Sequence, residues 1–160
     1  MRGLTRIPPL HVNAVEISLP DSDTLASLHT MLIDTRSGYE EAAKDAKASD
    51  MAEFFRDMAA LRSEDHDEIH RCLVAHGAHP DENGSFMASI HQTVIGLRAA
   101  LTGLDRNALG SFASGEEHVL KAYDEALNHN RDRPELAAIL ARQRQRVAGM
   151  VEQMKALEGV

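Results

Sequence analysis

Between Arg62 and Cys72 the chain reads R-S-E-D-H-D-E-I-H-R-C, with four acids and two histidines in eleven residues. Carboxylates and imidazoles at such density are the donors of metal sites and of acid/base centres. His66 and His70 stand four apart, a spacing that puts two ligands on one helical face, and Asp67-x-x-His70 and His76-x-x-His79 are further pairs. Chemistry needs these groups to converge, so their helical phases matter more than their number. With about 100° per residue and Met58 at the centre of the buried face, Asp65 falls about 20° off centre. Glu64 and Asp67 point away, Glu68 and His66 occupy opposite shoulders, and His70 lies further out. Arg62 shares the side of Asp65. Two inward groups are expected from the run, and Asp67 is expected to be an inert surface acid.

The elements that must carry these residues are helical. Residues 1–20 hold three prolines and a short alternating piece, Val12 to Ile17, and read as an extended arm. From Pro20 a first helix runs to about Lys47 with Leu25, Leu28, Leu32, Tyr39, Ala43 and Ala46 on one face. A second, capped by Ser49 or Asp50, carries Met51, Phe54, Phe55, Met58, Leu61, Ile69, Cys72 and Leu73 and ends near Gly77. The very short link makes the two an antiparallel hairpin. After the loop P-D-E-N-G-S, Met87, Ile90, Val94, Leu97 and Leu101 mark a third helix. A fourth opens at Asp105 with Leu109, Phe112, Leu120, Tyr123 and Leu127 inward. Pro134 starts a fifth, striped by Leu136, Ile139, Leu140, Val147, Met150, Met154 and Leu157. The expectation is an all-α antiparallel four-helix bundle over residues 21–158, one domain, with an additional C-terminal helix and an extended N-terminal arm.

The same projection finds polar groups near mid-height on several buried faces: Arg36 and Tyr39 on the first helix with His29 and Glu40 at its edges, Arg62 and Asp65 on the second, His91 and Arg98 on the third, and Glu116, with Glu117 at the edge, on the fourth. Tyr123 is expected to turn its hydroxyl into the same layer. Buried ions are costly unless paired, so acids facing arginines across a bundle form an internally neutralised set.

The motifs G-Y-E-E-A-A-K-D, L-R-S-E-D-H-D-E-I, G-A-H-P-D-E-N-G-S and G-E-E-H-V-L-K-A-Y, in this order between about residues 22 and 130, resemble the bacterial domain of unknown function 2383 family, which is placed among ferritin-like helical bundles. The resemblance implies that fold and no established activity. Ferritin-like proteins often hold two metals with a Glu from each of two helices and a Glu-x-x-His from each of two others. No glutamate here has a histidine three residues later: Glu64 is followed by Asp67, Glu68 by Arg71, Glu116 by Val119 and Glu117 by Leu120. The expectation is therefore a metal-free layer. The alternative is an iron or manganese site, as a metal-binding protein or a di-metal carboxylate oxidoreductase, built from a degenerate set of Glu40, Asp65, Glu68, His91 and Glu116.

Composition narrows the rest. A net charge of -8, with 17 basic residues scattered among 25 acids, disfavours a nucleic-acid groove. No apolar run approaches the roughly 20 residues of a membrane span. The single Cys72 makes no internal disulfide and lies on an apolar stripe, as a buried inert thiol does; with no secretory h-region, a cytoplasmic location is expected. The dispersed Gly96, Gly103, Gly110 and Gly115 make no phosphate loop, and the seven methionines read as core fillers. A non-catalytic bundle used in association, in a stress setting, is the functional expectation. The fifth amphipathic stripe, which must be buried somewhere, points to a homo-oligomer, most simply a dimer.

Overall fold

A computed structural model describes residues 22–83 and 106–158. They form four helices: α1 (Ser22–Asp45), α2 (Ser49–Ala75), α3 (Leu109–His129) and α4 (Pro134–Glu158), with a 3-10 turn at Arg106–Ala108 leading into α3. The N-terminal arm and the Met87–Leu101 stripe, with His91 and Arg98, lie outside the described residues.

The helices alternate in direction. Residues 46–48 fold α2 back along α1, residues 130–133 fold α4 back along α3, and the two hairpins meet where α1 packs on α3. Helix ends carry the charges that suit their dipoles: Asp23 and Glu135 stand in first turns, Lys44 and Lys155 in last turns, and Pro134 opens α4. The start of α2 differs from expectation. Ser49 and Asp50 are already helical, and Ala48, which has no capping side chain, takes the cap position. The Asp50 carboxylate instead accepts the Met51 N–H at 3.0 Å and pairs with Arg106 at 3.3 Å, tying the top of α2 to the turn before α3.

The lower end of α2 closes as the sequence suggests. Ala78 N–H reaches Leu73 O and Gly77 N–H reaches Val74 O, each at 3.0 Å, with Gly77 at φ +80°. This reverse-wound closure needs a left-handed residue, which glycine supplies without a Cβ penalty. It turns the loop 78–83 back toward the hairpin.

The core has two apolar halves. Near the α1–α2 link, Tyr39, Ala42, Met51, Phe55, Met58, Leu109, Ala113, Val151 and Met154 pack together, with Phe55 and Phe112 rings 4.8 Å apart. Toward the other end Leu25, Leu28, Leu32, Ile69, Leu73, Val119, Tyr123, Leu136, Leu140 and Val147 form the second. Each half draws on all four helices. Most of the α4 stripe is thus covered within its own chain: Leu136, Leu140, Val147 and Met154 are buried, and Ile139, Met150 and Leu157 pack half-covered against the same core. No helix among the described residues is long and apolar enough to cross a membrane.

Candidate metal centre and the mid-bundle layer

Between the two apolar halves lies a charged layer. Arg62, 1% exposed, donates through Nη2 to Glu116 and through Nη1 to Asp65 at 3.3 Å. Tyr39 donates its hydroxyl to the other oxygen of Glu116. Asp65, fully buried, also accepts from Arg146 of α4. Beside it the Gln143 side chain accepts from the Tyr123 hydroxyl at 2.9 Å and donates to Glu68 at 2.8 Å, while Arg142 reaches Glu68 at 2.6 Å. These residues sit on apolar stripes because the charges are paired: a lone charge here would be prohibitive, whereas the three guanidiniums of Arg62, Arg142 and Arg146 against Asp65, Glu68 and Glu116 leave little net charge.

The titration of these groups follows from burial. Burial, then the Glu116 charge, raises the Tyr39 phenol well above its ordinary value, and burial followed by Asp65 does the same to Tyr123, so both remain donors. Burial opposes the Arg62 charge, but Glu116, Tyr39, Tyr123 and Asp65 together more than offset it and the group stays cationic. Asp65 is raised, with burial outweighing Arg146 and Arg62. Glu68 is lowered, chiefly by its hydrogen bond from Arg142 and with help from Gln143.

Glu68 and Asp65 therefore act on stability in opposite senses. A carboxyl held below its ordinary value contributes stability above the unfolded value of 4.5 and loses it as pH falls through the lowered one. A raised carboxyl such as Asp65 weakens the fold as pH rises from 3.8 through its folded value. Glu68→Gln should consequently flatten the acid limb: urea midpoints taken from about pH 6 to about pH 3 should fall less steeply than in the unaltered chain. An equal or steeper fall would show that Glu68 is not the acid-sensitive partner.

Other residues expected in the layer stand elsewhere. Arg36 is on the outer surface, 28% exposed and 3.9 Å from the exposed Glu40, along a groove of about 740 Å³ that also meets Lys44, Arg56 and Ser63. Glu117 pairs with Lys155 at the surface. The layer is also a poor fit for the iron or manganese pair of the alternative reading. Arg62 and Arg146 occupy the sides of Asp65 and Glu116 where cations would be bound, and Glu40 faces solvent beside Arg36.

A different set converges on the flank of the first hairpin. His29 of α1, His66 and His70 of α2, and Glu82 of the returning loop each offer one ligand atom, all within 4.8 Å of one another. His29 Nε2 lies 3.1 Å from His70 Nδ1 and 3.5 Å from Glu82 Oε1; His70 Nδ1 lies 2.6 Å from the same oxygen, and His66 Nε2 lies 3.2 Å from Glu82 Oε2. A tetrahedral ion with bonds of about 2.05 Å has ligand edges of about 3.3 Å, so most of these separations are already those of a coordination shell. His29 and His66 are buried, His70 is a third exposed and Glu82 half exposed, which puts the mouth of the site at the loop. Burial holds the His29 imidazole below its ordinary value, His66 and His70 push the same way, and Glu82 opposes them. A neutral His29 imidazole, the form that binds metal, is thereby favoured.

In the sequence His66 and His70 stand out as an i, i+4 pair, and His29 falls at the edge of its helix face. Glu82 gave no signal, because its approach depends on the path of the loop. Arg142, Gln143 and Arg146 were missed as well, although Gln143 interrupts the Leu136–Leu140–Val147 stripe and could have been noticed there.

The family model described as domain of unknown function (DUF2383) matches residues 21–129. The chain belongs to this DUF2383 family. The match ends at the last residue of α3, so α4, with Arg142, Gln143 and Arg146, lies beyond the part that the family model covers. No curated protein and no solved structure matches the chain.

Proposed function

We propose that this DUF2383 chain is a ferritin-like bundle that binds one divalent first-row transition ion, not in the mid-bundle layer but on the flank of its first hairpin. The ligands are His29 Nε2, His66 Nε2, His70 Nδ1 and a carboxylate oxygen of Glu82. The observation that carries this reading is the His66 Nε2 atom. It is buried, makes no hydrogen bond, and stands 3.2 Å from a carboxylate oxygen among two further imidazoles. An unsatisfied buried nitrogen is costly, and a cation shared with the facing oxygen satisfies both. Three imidazoles and one carboxylate are borderline donors that suit Zn(II), Fe(II) or Cu(II) better than Mg(II) or Ca(II).

Binding, rather than turnover, is the function assigned. The guanidinium-filled layer supports the same conclusion from the other side, since it makes a structural core where other bundles of this kind hold metal. In equilibrium dialysis of tag-free chain against zinc, one ion per chain should be retained. His29→Ala and His66→Ala should each lose it, and Glu116→Ala should keep it. Loss in Glu116→Ala with retention in the histidine variants would move the site into the mid-bundle layer, and no saturable binding at all would remove the metal reading.

A further inference from the structure

Asp67 faces solvent, 60% exposed, and by helical phase alone it is a surface acid with nothing to do. Yet its Oδ1 lies 3.0 Å from His66 Nδ1, on the opposite side of the imidazole from the cluster. Two observations meet on this ring. A carboxylate beside Nδ1 favours the tautomer that carries its proton there, which leaves the Nε2 lone pair directed at the site. And Nε2 is the buried atom that finds no hydrogen bond although Glu82 Oε2 is only 3.2 Å away. A lone pair facing a carboxylate oxygen at that distance is repulsive unless a proton or a metal ion lies between them, and the absence of a well-formed hydrogen bond there favours the metal ion.

We propose that Asp67 is a positioning residue for the ion, a role that rests on the metal reading above: it holds His66 with its proton on Nδ1 and its ring turned so that Nε2 coordinates. It touches no metal itself. The roles of the other side chains fit this division. His29, buried and in contact with His70 through Nε2, is oriented by its packing between α1 and α2, while Glu82, on an exposed loop, closes the site from outside. His66 is the buried ligand whose second ring nitrogen faces a carboxylate in reach of solvent, and so its tautomer is the one that Asp67 governs.

Asp67→Ala removes the acceptor without touching the core, and the variant should fold as the unaltered chain does. Two measurements separate the claims. In metal-free protein, nitrogen-15 NMR of the histidine rings should show His66 protonated at Nδ1 in the unaltered chain and shifted toward Nε2 protonation in Asp67→Ala. In zinc titrations, Asp67→Ala should bind about 10- to 100-fold more weakly at unchanged stoichiometry, and Asp67→Asn, whose amide oxygen still accepts from Nδ1, should recover part of the loss. An unchanged tautomer, or unchanged zinc affinity in Asp67→Ala, overturns the positioning role while leaving the metal site standing. Failure of the unaltered chain to bind zinc overturns the metal reading and the positioning role with it.

Discussion

Arg62→Met is expected to lower the unfolding free energy by about 3–5 kcal/mol, because it leaves Glu116 buried with only Tyr39 to satisfy it. Asp65 fares better, since Arg146 still reaches it. The loss comes from a stranded carboxylate and not from the missing side-chain volume, which methionine largely replaces. A second substitution should demonstrate this. Arg62→Met combined with Glu116→Gln removes the uncompensated charge, so the pair should be less destabilised than the sum of the two single changes, and less than Arg62→Met alone. The comparison is made by urea unfolding at neutral pH. A loss below about 1 kcal/mol for Arg62→Met would mean that water reaches the layer and that its charges are not held in a low-dielectric interior.

What the sequence made legible follows from which interactions are local. Helix phase places Tyr39, Arg62, Asp65, Glu116 and Tyr123 on buried stripes; the structure buries all five, with the Tyr39 and Tyr123 hydroxyls reaching from the two apolar halves toward the charged layer. Phase is a property of one helix, so it can be read without knowing the neighbours. Even there it has a margin. Ala42, Ala113 and Ala126 are buried alongside Leu28, Phe55 and Met154, whereas Phe54, Phe112 and Leu120 sit at the shoulders, half covered.

Pairing between helices is not local, and it was harder to read. Arg36 has nearly the right phase on α1 but emerges where α1 faces outward beside Glu40 and Arg56. The partners of Glu68, and the second partner of Asp65, come from α4, whose docking register no single-helix pattern specifies. The histidine site is the sharpest case. His66 and His70 stand on one shoulder of α2, about 80° and 120° from its buried centre, positions that count as half solvated for an isolated helix. On a hairpin that shoulder is the seam with α1, and there His29 meets them. The acidic run that opened the question thus divides three ways: Asp65 serves the core, Glu68 serves α4, and His66 and His70 serve the seam.

The larger of the ligand effects should appear in stability. An ion that binds only the folded chain adds RT ln(1 + [L]/Kd), about 2.7 kcal/mol at a hundredfold excess over Kd and about 4.1 at a thousandfold. Zinc added to metal-free protein should therefore raise the melting temperature progressively with its concentration. The rise has a structural source, because the ligands come from α1, α2 and the 78–83 loop, elements that unfolding separates. His66→Ala should lose the rise, being buried and central, whereas Glu82→Ala should weaken it while leaving three imidazoles in place. Glu116→Ala should melt lower at the outset and still gain the full increment, since the mid-bundle layer is a separate set of residues. Manganese should produce a smaller rise than zinc at equal concentration, following the affinity order of nitrogen-rich sites. A melting temperature indifferent to zinc, or one whose response disappears with Glu116 and survives the loss of His66, would defeat the assignment of the ion to the hairpin seam.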